Sequence, residues 1–308
     1  MTRTLRRLSG SSGFVALGVL AILLVAVALL APALAPHDPL ETHYDHILAG
    51  SSRRFPLGTD QLGRCVLSRL IHGGRTSLLI VFVVLAISSA LGIGVGVLAG
   101  WIGGPVDLAV SALVDMTMAL PSLVFVIAFV GMTGPGLSHT MIAMIAVGWC
   151  EYARVSRAMV LSIRDEDYIA QATLSGVGPA GLLTRYLLPN VLPNILVVVT
   201  QGFGECLLNL VGLSLLGLAS QPPTPEWGFM LAEGRRFIQT APHMMASPGL
   251  VIVLHVVVFS LLGDRLRDLL QPQATTDLRS GFTARVRSDL QRPRSGGVVA
   301  RLHKKGRT

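Results

Sequence analysis

Three side chains at four-residue spacing, Gln201, Glu205 and Asn209, interrupt an otherwise apolar stretch. On a helix that spacing places them on one face, a polar stripe with a carboxylate at its centre. A charge at the middle of a bilayer costs about 2.5–3.5 kcal/mol on insertion scales, so such a group faces a bundle interior or a water-filled route. Either the stripe lines a path on which Glu205 favours a cationic solute, such as a peptide amine or a metal complex, or it is an interhelical hydrogen-bonding strip with Glu205 protonated. His255 is a second candidate on such a path, although a lone histidine in an apolar helix is more often a hydrogen-bonded packing residue. Cys206 adjoins Glu205, and His37, His43 and His46 lie close together, but no standard ligand spacing results and no metal ligands are assigned. Cys65, Cys150 and Cys206 are odd in number and widely separated, which suggests neither a disulfide framework nor a cysteine metal site. The only lysines are Lys304 and Lys305. A phosphate-binding loop needs Gly-x-x-x-x-Gly-Lys-Ser/Thr, so the chain holds no such nucleotide site. No Ser/His/Asp pattern marks covalent chemistry; no catalytic residue and no cofactor of its own are expected.

The elements that must position these residues are membrane spans. Of 308 residues, 51% are hydrophobic and only 14% charged, against roughly 25% in a typical soluble domain. Mean hydropathy is +0.63. This composition argues against an ordinary soluble enzyme and against a disordered chain. Six apolar runs are predicted, at 14–35, 76–106, 108–132, 137–150, 188–218 and 247–263. The first is too long for a signal-peptide core, and further spans follow it. The expected organisation is an N-terminal part over 1–73, a five-helix core over 74–271 and a basic tail over 272–308. With the N-terminus inside, Arg3, Arg6, Arg7, Arg154, Arg157, Arg164, Arg185 and the tail's basic residues all lie inside. Arg53, Arg54, Arg64, Arg69, Arg235 and Arg236 lie outside. That bias predicts both termini in the cytoplasm. The pI of about 10.2 reflects mainly that tail, so no nucleic-acid partner is expected; loose contact of the tail with anionic lipid is the alternative to simple solvation.

Between the fourth and fifth runs lies a polar elbow, 155–190. Asp165, Glu166 and Asp167 suit a helix N-terminus, Gly176 and Gly178 break that helix, and Pro189 starts the next span. A linker this long is commonly functional, and a helical one predicts a docking surface. Elsewhere Gly92, Gly96 and Gly100 predict a close helix crossing, and Pro121 a kink. Trp227 is either an interface anchor or part of an external docking surface with Glu226.

The elbow resembles the EAA loop of ABC importer permeases, with its central glycine at Gly176 and its closing Leu188-Pro189, although the naming triplet reads Ala170-Gln171-Ala172. Phe55-Pro56-Leu57-Gly58-Thr59-Asp60-Gln61-Leu62-Gly63-Arg64 resembles the N-terminal signature of the dipeptide/oligopeptide/nickel branch, with Cys65 where that signature usually has Asp. The stretch Ser68-Arg69-Leu70-Ile71-His72-Gly73-Gly74-Arg75 and the later Pro222-Pro223-Thr224-Pro225-Glu226-Trp227-Gly228 resemble the same branch. So do Pro248-Gly249-Leu250 and Leu262-Gly263-Asp264-Arg265-Leu266-Arg267-Asp268, and Asp115 with Pro121 fits its Asp-x-x-x-Ala-x-Pro pattern. The resemblance implies an all-α polytopic membrane protein with six transmembrane helices and the type I ABC importer permease fold. It implies a second permease subunit, two ATPase subunits that use ATP and Mg, an external substrate-binding protein, and residence in the lipid bilayer of the bacterial inner membrane. The implied cargo is short peptides or nickel-type metal complexes. Asp167, Tyr168, Ala172, Gly176, Leu188 and Pro189 then fall in the ATPase-coupling elbow. The alternative is a proton- or ion-coupled secondary transporter with Glu205 as relay. Such carriers often show internal repeats with paired broken helices, and none is visible here.

Overall fold

An apolar chain in lipid must satisfy its backbone polar groups internally, and a helix does so within one segment. The computed structural model describes residues 12–270. Among them there is no strand, only an isolated bridge between Thr59 and Cys65. The basic tail and the first arginines lie outside the described residues.

Helix α1, Ser12–Leu29, is followed by a single turn, Ala31–Leu34. Helix α2 spans Val66–Ile102 and its 37 residues reach about 55 Å at 1.5 Å per residue, well beyond a hydrocarbon core of about 30 Å. It begins earlier than the apolar run because Arg69 is neutralised by buried carboxylates and so does not end the helix. It stops at Gly103, whose φ of 71° only glycine adopts without strain. The predicted third span is broken. Helices α3, Gly104–Met118, and α4, Ser122–Thr133, meet at 80°. Pro121 lacks an N–H and disfavours helical geometry at Leu120, so the expected kink becomes a break.

Helix α5, Leu137–Arg164, runs past the predicted boundary at Cys150 without interruption. Helix α6, Asp167–Leu174, one turn over Pro179–Leu182 and a π turn over Leu183–Leu187 lead into α7, Leu188–Leu215, with Pro189 in its first turn. Helix α8, Trp227–Arg235, lies inside what the sequence reads as a loop, and α9 is His243–Leu270. By length and composition α2, the stretch Pro179–Leu215 and α9 can each cross a membrane, and the bent α3/α4 pair is long and apolar enough only when its two halves are taken together. With α1 and the apolar first half of α5, the six predicted runs appear in order.

The core is set by two contacts. Helices α2 and α5 cross on the glycine ridge: a Cβ at Gly96 would lie 2.1 Å from Ser156 Oγ and 2.2 Å from Ala153 O. Ser156 Oγ in turn donates to Gly92 O at 3.3 Å. Helices α7 and α9 are joined by Phe203 stacked on Phe259, ring centroids 3.8 Å apart. Opposite the elbow, the segment between α1 and α2 is tied down by buried ions. Asp60 accepts from Arg64 Nε at 2.7 Å and from Arg69, whose second nitrogen reaches Glu233 of α8 at 2.7 Å. Arg64 and Gln61 also donate to Glu233, at 3.1 and 2.7 Å. The Thr59-to-Arg69 motif is therefore a clamp that fastens the outer segment to α2 and α8.

Candidate functional site

The break between α3 and α4 opens a cavity of about 290 Å³, walled also by α2, α5 and α7. Most of its lining is apolar, from Val84, Leu85, Val126, Met144 and Leu213. Its polar groups are few: Ser88 of α2, Thr117 of α3, Ser122 of α4, Glu151 and Tyr152 of α5, Glu205 and Asn209 of α7. Glu151 and Glu205 are both exposed and within electrostatic reach of each other and, for Glu151, of Arg154. Exposed carboxylates midway along apolar helices cannot face acyl chains, so this face looks onto water or onto another protein surface. A Cβ at Gly202 would meet Tyr152 Oη at 2.8 Å; that glycine lets the phenol lie flat against α7.

The predicted stripe is only partly on this wall. Glu205 and Asn209 line the cavity, whereas Gln201 lies off it and donates to Asp264 Oδ1 at 2.9 Å. A straight helix rotates slowly against a four-residue repeat, and eight residues suffice to turn Gln201 toward α9. His255 lies off this cavity. It is buried, its Nδ1 hydrogen-bonds Val251 O at 2.8 Å, and its ring packs 4.7 Å from Trp227. Glu226 and Trp227 are not an external docking surface either, being 0% and 2% exposed. Glu226 caps α8, accepting from Gly228 and Phe229 N–H at 2.9 and 2.8 Å and from Ser77 Oγ at 2.9 Å. The Trp227 indole donates to Leu70 O at 2.8 Å. Both fasten α8 to α2. Sequence reading misses Glu151, because the fourth apolar run ends at Cys150. The available signal was the absence of any helix breaker before Asp165.

At the opposite end of α5 lies the elbow. Helix α6 ends in a Schellman motif: Val177 N–H donates to Ala172 O at 3.1 Å and Gly176 N–H to Thr173 O at 3.0 Å. This requires the left-handed φ of 83° at Gly176. Ile169, Ala172 and Leu182 are buried together against Trp101, Ile163, Val177 and Tyr186. Ala172 thus supports the elbow from beneath and is not on its surface. Asp167, Tyr168, Gly176 and Pro189 are exposed, Leu188 is half-buried, and Leu174 is 89% exposed. Partial desolvation, and after it the charge of Glu166, raises the Tyr168 phenol above its usual pKa. Arg164 Nη1 donates to Gly100 O at 3.1 Å, and Arg157 Nη2 to Asp107 Oδ2 at 2.7 Å, bracing α5 against α2 and α3.

Comparison with known proteins agrees with this architecture. Residues 92–276 match the family described as binding-protein-dependent transport system inner membrane component, and residues 1–50 match the N-terminal TM domain of oligopeptide transport permease C. The di/tripeptide transport system permease protein DppC of Pseudomonas aeruginosa is 43% identical over 258 residues, covering 82% of this chain and 85% of that protein. The nickel transport system permease protein NikC of Escherichia coli K12 is 37% identical over 259 residues, covering 84% and 94%. An inward-facing structure of the MetNI methionine ABC transporter shares the fold, with TM-score 0.54 and 20% identity over 65% of this chain and 95% of that one. The family goes against an ion-coupled carrier. A helical membrane chain whose family match spans residues 92–276, more than half its length, belongs to the inner membrane permease components of binding-protein-dependent ABC transport systems.

Proposed function

We propose that this chain is one of two permease subunits of an ATP-driven importer carrying short peptides across a bacterial inner membrane. Both termini and the elbow lie in the cytoplasm, and an external binding protein delivers cargo on the opposite side. One observation carries the mechanism: the two carboxylate-bearing walls of the cavity, α5 and α7, are the helices joined by the elbow. Helix α5 runs unbroken from the cavity to Arg164, and α7 leaves the elbow at Leu188. Force applied to α6 is delivered to both walls at once. Separate ATPase subunits, which bind ATP and Mg, supply that force. They grip the exposed Tyr168, Gln171 and Leu174 surface, and their closure rocks α5 and α7 about the cavity, as in other alternating-access carriers. The second permease covers the face where Asp115, Glu151 and Glu205 are exposed.

The peptide reading is favoured by the di/tripeptide system relative and by carboxylates suited to an amine; nickel-type complexes are the competing cargo, favoured by the nickel system relative. Uptake of labelled dipeptide and of labelled nickel in cells lacking only this chain separates them. Loss of dipeptide uptake alone is the expected result. Loss of nickel uptake alone would overturn the peptide assignment and leave the permease assignment standing.

A further inference from the structure

At the end of the molecule away from the elbow lies a second cavity, of about 750 Å³, between the end of α7 and the end of α8. Leu215 and Leu216 line it from α7, Phe229 from α8 and Phe237 from just beyond it. It shares no lining residue with the first cavity, so it is not an extension of that space. Its charge does not balance. Glu233, which also lines it, is already matched: with Asp60 it pairs Arg64 and Arg69, two acids against two bases. Arg235 and Arg236 are left over. Both line the cavity, both are exposed, and neither has a hydrogen bond or ion pair with any described residue. The helix dipole favours a base in the last turn of α8, which accounts for Arg235 being there. Yet neither guanidinium bonds a terminal carbonyl, so both forks stay open. The outer acids Asp38, Glu41 and Asp45 are not part of the lining.

We infer that this cavity is the docking site of the external binding protein, which inserts a carboxylate-bearing segment between α7 and α8; the inference rests on the importer reading above. The chain belongs to a binding-protein-dependent family, which requires a protein partner on the outer face. Arginine takes carboxylates bidentately, and arginine beside aromatic side chains is the composition of interface centres. Leu216 and Ile238, 60% and 53% exposed, add apolar area next to the charge. The volume falls within the range of about 300–1,000 Å³ that encloses a drug-sized ligand, room for a short segment of chain and not for a domain. The clamp fixes one side of the cavity to α2. The other side is the outer end of α7, whose inner end leaves the elbow, so docking bears directly on a helix of the lever.

The test uses the complete complex in nanodiscs, with dipeptide-loaded binding protein as titrant and ATP hydrolysis as readout. Arg235→Ala with Arg236→Ala raises the concentration for half-maximal stimulation about tenfold, and saturating binding protein still reaches the wild-type maximum. Arg235→Lys with Arg236→Lys, which keeps the charge, shifts it less. In the wild type that concentration rises with salt, because the screening length falls from about 10 Å at about 0.1 M to about 3 Å at about 1 M; the alanine variant loses this dependence. An unchanged half-maximal concentration in the alanine variant overturns the inference and leaves the importer standing. If that variant fails to assemble, the wild type decides: stimulation indifferent to salt overturns it. Cysteines 65, 150 and 206 are buried, so Arg236→Cys can be labelled with a benzophenone maleimide and photo-cross-linked. Mass spectrometry of the adduct should find an acidic segment of the binding protein; an adduct on the second permease or on lipid alone overturns the docking site. A wild-type complex stimulated by neither dipeptide-loaded nor nickel-loaded binding protein overturns the importer reading itself.

Discussion

Gly176 shows how much one residue can decide in this chain. Its φ of 83° closes α6, and a Cβ there would meet nothing within 4 Å. Substitution therefore strains the backbone and creates no clash. Gly176→Ala should cost about 1–2 kcal/mol locally and lower uptake. Gly176→Leu should abolish uptake while the spans keep their helical signal in circular dichroism; normal uptake would remove the elbow from the mechanism. This glycine was legible because its signal is local, a glycine after an eight-residue helix led by acids. Glu226 and Trp227 were misread for the opposite reason. Their burial depends on Ser77 and Leu70, about 150 positions away in the chain, and nothing near them in sequence reports that. For His255 the packing alternative is the one that the structure shows, and which face of a uniformly apolar helix points inward is decided by its neighbours.

At the scale of elements, the glycine ridge on α2 and the buried clamp make separable predictions. Gly96→Leu drives side-chain atoms into Ser156 and the Ala153 carbonyl. Overpacking typically costs about 1–3 kcal/mol, and a backbone clash of this kind belongs at the upper end. Thermal unfolding in detergent should show a lowered Tm, and an unchanged Tm would mean the helices do not cross there. Arg69→Ala leaves Glu233 and Asp60 with one basic partner, Arg64. Breaking a buried pair costs about 3–5 kcal/mol, and the outer segment should become open to protease at 36–64 well before the helices unfold. Unaltered protease resistance would show that the segment is held by packing alone. The six apolar runs were readable from length and hydropathy. The α3/α4 break was half-readable: Pro121 announced a kink, but the size of the bend follows from Val126 and Val130 packing into the bundle while Leu108, Met116 and Leu120 stay exposed. The length of α5 was hidden because the polar residues after Cys150 read as a loop, whereas helix propagation needs no apolar face where a partner such as Asp107 meets Arg157.

For the whole molecule, the arrangement is a lever. One end is a compact elbow with an apolar tip at Leu174; the other is a cavity whose acidic walls are the two helices flanking that elbow. The order elbow, flanking helices, cavity could be anticipated from the motif and the polar stripe, but the partnership of Glu151 with Glu205 required the tertiary structure. The central claim is that movement of the elbow is what moves cargo. The most direct test measures dipeptide uptake and ATP hydrolysis together in proteoliposomes holding the complete complex with Gly176→Leu in this chain. The lever predicts near-complete loss of dipeptide carried per ATP hydrolysed. Dipeptide carried per ATP at the wild-type level would contradict it.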